Sequence, residues 1–417
     1  MMKTIFPTKT VLRYSALACL LTLFCSACGK GQMFGEDPKL QKYKDQTHAY
    51  LADLEPGILK SQLAYVNRDS FPDLVILRAG DRGQPVIRVW NNRSGEKFEL
   101  VKRAGWEGQR NDQILFMALQ DLNHDGVQDL VLVGRFEDGS VAKVLFNNGK
   151  GYFYTKKEVP FPHVNRGIDR VDLRDIDGDG HIDLFFTGKR VLNDQGKLHR
   201  HQTQFMLNNG RGQFKDSTQL LMPPLKPGIV GTAFADYDGD KTLDIFLING
   251  EGQNSLLTNN GLGQFEDRTQ ELLPAIQDRS AHADWADFDQ DGDNDLLVVN
   301  REKFSSGETS YFLVNHGRGY FEKGPFKAAP NAIFHAVYLL DANGSELPDI
   351  LLLSDKGIHY LRGLGKWRFW KESQRRLPFN DKFHELTFAD VNRDTFLDIF
   401  GYAKKDGRGV LWINTFE

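Results

Sequence analysis

The apolar residues of this chain gather in short, dense runs rather than at helical spacing. LVLVG at 130, LFFTG at 184, IFLIN at 245, LLVVN at 296 and ILLLS at 350 are too short for helices and rich in β-branched or aromatic side chains. Such runs predict strands buried on both faces. Ahead of each lies a polar stretch dense in Asp and Asn. Further on come FNNGKGYF at 146, LNNGRGQF at 207, TNNGLGQF at 258 and VNHGRGYF at 314. Asn-Gly between apolar runs is the strongest short hairpin signal, because both turn residues must take positive φ. The unit therefore reads strand, acidic loop, strand, variable loop, strand, Asn-Gly turn, strand.

The acidic loop is an internal repeat. Asp121, Asn123, Asp125 and Asp129 return as Asp175, Asp177, Asp179 and Asp183, then as Asp236, Asp238, Asp240 and Asp244, and as Asp287, Asp289, Asp291 and Asp295. Weaker copies are Asp341, Asn343, Ser345 and Asp349, and Asp390, Asn392, Asp394 and Asp398. The weakest is Asn67, Asp69 and Asp73, with Tyr65 in place of the first Asp. Successive loops start 56, 54, 61, 51, 54 and 49 residues apart. A period of this size marks a ring or solenoid. Seven units of four antiparallel strands predict an all-β fold, a seven-bladed β-propeller.

Oxygen ligands at loop positions 1, 3, 5 and 9, with a backbone carbonyl near position 7, suit a hard cation that takes about six to eight oxygens. Calcium fits this set best. Magnesium prefers a tighter octahedron, and zinc would call for His or Cys. The expectation is about four to six calcium ions, held by the four strong loops and by the loop at 390. The alternative is that the Asp and Asn residues only shape turns. An EF-hand is excluded, since position 12 is Leu132, Phe186, Leu247 or Val298 rather than Glu.

Paired acidic loops and Asn-Gly turns resemble the FG-GAP and VCBS-type repeats of integrin-α-like propellers, over residues 41–417. The literal FG and GAP tripeptides do not recur, so the resemblance is to the calcium-loop half of the motif and implies calcium binding without integrin ligand recognition.

The last unit ends VLWINTFE and lacks a fourth strand. YKDQT at 43 mirrors FKDST at 214 and FEDRT at 265, and the Thr lies 18 residues before the next loop start in all three. Residues 41–47 are therefore expected to supply the outer strand of the last blade and hide its edge.

Two faces follow from this order. One carries the acidic loops and Asn-Gly turns, the other the variable loops. The second face is basic: Lys189, Arg190, Lys197, His199, Arg200 and His201 lie in one loop, Lys404, Lys405 and Arg408 in another. Lys189, Arg190, Lys197, Arg200, Lys404 and Lys405 are the candidate partner-binding residues, for an acidic protein or an anionic polysaccharide. Solvated surface charge is the plainer reading. His282, His335 and His384, with Asp172, Asp284 and Glu385, fall on inner strands where they can line a central channel or simply pack.

Composition narrows the function classes. A net charge of −4, from 52 basic and 56 acidic residues, gives no support to nucleic-acid binding. Cys19, Cys25 and Cys28 are the only cysteines, so the propeller region has no thiol chemistry. Lys3, Lys9 and Arg13 precede an apolar run from Tyr14 to Phe24, as in a secretory signal. Ser26-Ala27-Cys28 resembles the lipobox of bacterial lipoproteins, with Cys25 where Leu is usual. The resemblance implies lipidation of Cys28, removal of residues 1–27, a tether over 28–40 and, from Gly29, the outer membrane. An ordinary cleaved signal is the alternative.

No nucleophile elbow, HExxH or P-loop motif is present in the sequence. The repeated acids look structural, whereas a propeller active site is built once. The leading expectation is a calcium-stabilised, lipid-anchored scaffold that binds an envelope protein. A carbohydrate-binding propeller or a lyase-like polysaccharide-active enzyme is the alternative.

Overall fold

The computed structural model describes residues 41–416, apart from 156–160, 189–194, 198–202, 226–227, 278, 302–309, 318–319, 329, 331 and 379–380. Its strands form seven separate antiparallel sheets. Blade 1 comprises Ile58–Ala64, Asp73–Ala79, Pro85–Arg93 and Lys97–Leu100, with Trp106–Glu107 added against the third strand. Blade 2 comprises Gln113–Gln120, Asp129–Arg135, Ala142–Asn147 and Phe153–Tyr154; blade 3, Arg170–Arg174, Asp183–Thr187, Thr203–Asn208 and Phe214–Asp216. Blades 4 and 5 run Ile229–Ala235, Asp244–Asn249, Ser255–Asn259, Phe265–Asp267 and Ser280–Ala286, Asp295–Asn300, Ser310–Asn315, Phe321–Pro325. Blade 6 holds Phe334–Leu340, Asp349–Ser354, Gly357–Gly363 and Phe369–Lys371. Blade 7 holds Phe383–Ala389, Asp398–Ala403 and Gly409–Phe416, completed by Gln41–Asp45.

First strands of neighbouring blades touch one another and line the axis. The second strands of blades 3 to 7 are buried along their whole length, as in Asp295–Asn300 and Asp349–Ser354, because both faces pack against adjacent blades. This is why their sequences are continuously apolar instead of alternating. Seven apolar clusters fill the gaps between blades. Between blades 4 and 5, for example, Phe246 and Leu256 meet Trp285, Tyr311 and Phe321. The cluster between blades 7 and 1 joins Trp90 and Phe98 to Phe400, Leu411 and Ile413, and so closes the ring.

Closure uses the N-terminal strand. Gln41 to Asp45 pair antiparallel with Phe416 to Trp412, and Tyr43 is buried beneath them. The strand ends at Asp45, two residues short of the expected Thr47, which opens a single helical turn, Thr47–Tyr50. Its hydroxyl donates to Asp45 Oδ1 at 2.6 Å and accepts the Leu411 N–H at 2.8 Å. The same clamp recurs at Thr218, which accepts from Phe205 N–H, and at Thr269, which accepts from Leu256 N–H. The repeated Asp-x-Thr motif thus fastens the outer turn to the third strand in blades 3, 4 and 7.

Candidate functional site: the acidic loops

Each acidic loop joins the first strand of its blade to the second. From blade 2 to blade 7 it turns on two left-handed residues, at positions 4 and 6: His124 and Gly126, Gly178 and Gly180, Gly239 and Lys241, Gln290 and Gly292, Gly344 and Glu346, Arg393 and Thr395. That turn aims backbone N–H groups at the position-1 carboxylate. Asp287 accepts from Asp291 N–H at 3.2 Å and Gly292 N–H at 3.0 Å, and Asp236 from Asp240 at 3.1 Å and Lys241 at 2.8 Å. In blade 1 neither Arg68 nor Ser70 has positive φ, and the loop makes a bridge from Asn67 to Lys150 instead. The weakest repeat in sequence is also the one with a different backbone.

Position 9 is the most buried part of the loop. Asp73, Asp129, Asp183, Asp244, Asp295, Asp349 and Asp398 are wholly inaccessible. In Asp183 one oxygen accepts the Asn208 N–H at 2.9 Å and the other the Ile176 N–H at 3.1 Å. Burial outweighs these bonds and pushes the carboxyls up, to about 7 for Asp129 and Asp183 and about 8 for Asp244, Asp295 and Asp398. Burial and then carboxylate neighbours also raise Asp238 and Asp289, as expected where like charges crowd.

Among the described residues three groups bring their oxygens within 4.8 Å of one another: Asp175, Asp177 and Asp183; Asp236, Asp238 and Asp244; Asp287, Asp289 and Asp291. These could hold a metal ion. Asp175 Oδ1 is buried with no hydrogen-bond donor, an orphaned acceptor at position 1 of its loop. In the loop at 121, Asn123 supplies an amide in place of the position-3 carboxylate, and its Oδ1 accepts the Asp125 N–H at 3.0 Å. In the loop at 390, Asn392 Nδ2 donates to Asp394 Oδ2 at 2.9 Å. Blade 6 departs further. Tyr360 donates to Asp349 Oδ2 at 2.6 Å and Asn343 Nδ2 donates to the same oxygen at 3.2 Å, so that carboxylate is already satisfied by protein.

A second role of the Asn-Gly turn was not read from the sequence. An Asn towards the end of the third strand, the one that opens the turn in blades 2 to 5, reaches into the preceding blade, to the carbonyl at position 2 of that blade's acidic loop. Asn147 Nδ2 donates to Val66, Asn208 to Leu122, Asn259 to Ile176, Asn315 to Tyr237, Asn414 to Ala342 and Asn92 to Val391, at 2.7–2.9 Å. Blade 6 has Gly363 at this place, and there Trp367 N–H donates to Phe288 at 3.3 Å. Trp367 also donates its Nε1–H to Asp289 Oδ2 at 3.2 Å and packs on Phe288, so this Trp covers an acidic loop of the preceding blade. The recurrence of Asn-Asn rather than any turn former before Gly was the available signal.

On the opposite face, Lys404 and Lys405 are exposed in the turn between the second and third strands of blade 7, and Lys197 is exposed in blade 3. Lys189, Arg190, Arg200 and Cys28 lie outside the described residues. Among the described residues no helix is long and apolar enough to cross a membrane. Along the axis, Asp172 is buried and accepts from Thr232 Oγ1 at 2.5 Å, and Asp284 is buried. His282 Nδ1 has no partner, and burial holds its imidazole down at about 3. These three are held in the channel wall, whereas His335 and His384 stand at its rim.

A lectin from Agrocybe aegerita, solved for its specific recognition of non-reducing terminal N-acetylglucosamine, superposes with a TM-score of 0.51 at 20% identity. That match covers 78% of this chain and 81% of the lectin. BBS1N, solved in complex with ARL6DN, superposes with a TM-score of 0.51 at 12% identity, covering 90% of this chain and 97% of BBS1N. At these identities the likeness is one of fold. No curated protein matches the sequence. The FG-GAP-like repeat model matches residues 121–186, 191–247, 236–298 and 341–401, which start in blades 2, 3, 4 and 6 and take in most of the acidic loops. More than half of the chain is matched in this way, on the loops whose geometry recurs from blade to blade, and the protein belongs to the FG-GAP-like repeat family.

Proposed function

We propose that this protein is a calcium-stabilised β-propeller that acts as a protein-binding scaffold at the bacterial envelope, anchored through a lipid on Cys28. The observation that carries the calcium reading is the crowding of three carboxylates within 4.8 Å in three consecutive blades. Carboxylates so placed repel one another unless a cation lies between them, and the orphaned Asp175 Oδ1 is an acceptor in want of one. The donors are hard oxygens, which suits calcium above zinc. Asp175, Asp177, Asp179 and Asp183 would hold one ion, and the corresponding residues of the loops at 121, 236, 287 and 390 the others. Calcium supplies countercharge and pins the turn between two strands, so its binding adds to folding free energy.

The scaffold reading follows from where the acids sit. They repeat in every strong blade, as structural ligands do, and leave the opposite face for recognition. Two measurements test the proposal. Metal analysis of purified protein should find several calcium ions, and a chelator should lower the melting temperature by many degrees; a metal-free protein whose melt ignores chelator overturns the calcium reading. Partners are then captured from solubilised envelope with calcium present. Retained material that is a discrete, protease-sensitive protein supports the scaffold, and protease-resistant polysaccharide refutes it.

A further inference from the structure

The rim of the axial channel, on the face away from the acidic loops, gathers cations from three blades. His335 opens the first strand of blade 6, Lys382 and His384 stand at the start of the first strand of blade 7, Lys404 comes from the next turn of that blade, and Lys60 from blade 1. Lys404 Nζ lies 2.9 Å from His335 Nε2, so at least one of the two is neutral or shares its proton. Lys404 N–H donates to the Lys382 carbonyl at 2.8 Å, which fixes the two lysines side by side. Among the described residues neither lysine has a carboxylate in salt-bridge contact. The nearby acids are each engaged elsewhere: Glu385 by Lys60 at 3.6 Å, Asp355 by the Ile333 N–H at 2.9 Å, Asp381 by the Arg408 guanidinium at 2.9 Å and Asp406 by the Arg408 N–H at 3.0 Å. Burial and the neighbouring cations hold His335, His384 and Lys404 below their ordinary values.

Apolar surface adjoins it. Leu59 is 52% and Leu115 41% exposed, at the same strand position in blades 1 and 2. Among the described residues the exposed Tyr and Trp side chains, Tyr152, Tyr154, Tyr320 and Trp370, belong to hairpin turns or outer strands, away from this rim. Sugars are commonly held on aromatic faces, whereas lysines beside exposed leucines match a peptide in which acidic and apolar side chains alternate.

We propose that this rim docks an acidic, apolar segment of a protein partner, with Lys382 and Lys404 taking its carboxylates and Leu59 and Leu115 its apolar side chains. The partner's class rests on the protein-scaffold reading, but the site does not depend on calcium.

The test is fluorescence anisotropy of a labelled short peptide of alternating Glu and Leu with the purified full chain in calcium. Saturable binding that weakens with salt is expected, and Lys382→Gln with Lys404→Gln should reduce affinity by about ten-fold or more. Lys150→Gln with Arg211→Gln, on the opposite face, should leave it unchanged. The imidazole resonances of His335 should titrate at higher pH when the peptide is bound, and also in the unliganded rim variant, which reports the local field and shows that the variant is folded. Undiminished binding to the rim variant, no saturation, or polygalacturonate displacing the peptide at equal charge overturns the site. A captured envelope partner retained by the rim variant leaves the scaffold and removes the rim. Peptide binding that needs the rim, with no protein captured from envelope, does the reverse.

Discussion

Replacing Asn208 with alanine isolates the link between one blade's hairpin and the acidic loop of the blade before it. The side chain is 4% exposed, and its amide nitrogen donates to the carbonyls of Leu122 and Ile182, both at 2.9 Å. Its oxygen accepts the Gly210 N–H at 3.2 Å. Truncation strands the Leu122 carbonyl in a dry site, which alone costs about 1–3 kcal/mol, and the part-buried Ile182 carbonyl adds less because water can reach it. A loss of about 3 kcal/mol is expected. Asn209, the next residue, is the control. Its exposed side chain bonds Gln213 at 2.7 Å and Arg211 N–H at 3.0 Å, within the turn itself, so Asn209→Ala should cost less than about 1 kcal/mol. Urea unfolding followed by tryptophan fluorescence gives both numbers, and hydrogen exchange adds the location. Amides of residues 121–129, in a different blade from the substitution, should exchange faster in Asn208→Ala alone. Equal destabilisation by the two substitutions, or faster exchange confined to blade 3, would refute the latch.

Three further outcomes are expected. In chelator, Asp183, Asp244 and Asp295 are held at about 7, 8 and 8 by burial, against 3.8 when unfolded, so the folded state keeps protons that the unfolded state releases. The metal-free melting temperature should then rise as pH falls from about 8.5 to about 5.5, and this contribution should vanish as pH climbs through the folded values; a melt that falls steadily with acidification contradicts it. Deleting residues 41–47 removes the buried Tyr43 and the partner strand of Trp412–Phe416, and differential scanning calorimetry should show a drop of more than about 5 °C. Lys241 sits at φ 74 where the loops at 121, 175 and 287 have Gly, so Lys241→Gly should stabilise the protein by about 0.5–1 kcal/mol in the same urea assay, and a destabilisation would show that its side chain matters.

What could be read in advance follows from what is local. Loop acids, buried second strands and Asn-Gly turns lie within a few residues of one another, so spacing alone placed them. The closing strand was legible because Lys44, Asp45 and Thr47 copy a motif found at two other blades. The interblade reach of Asn208 was not, since 86 residues separate it from Leu122 and its Asn-Gly context already had a sufficient explanation. Tyr360 satisfying Asp349 was hidden for the same reason: a tyrosine in an apolar strand looks like core. The rim also escaped notice as a unit. Lys404 and His335 are 69 residues apart, so their convergence at the axis leaves no local charge density in the sequence.

The pairing of Gln41–Asp45 with Trp412–Phe416 joins residues made before the other six blades to residues made after all of them. While synthesis proceeds, blades 1 to 6 can stack on their neighbours through local contacts, but blade 7 has no outer strand and blade 1 no neighbour on one side. Two open edges therefore persist through biosynthesis, and the long-range contact that removes them carries the largest chain-entropy cost in the fold. Completion of the ring is the last cooperative step, and any chain interrupted before Gly409 is left with unpaired β-edges that chaperones and proteases can recognise.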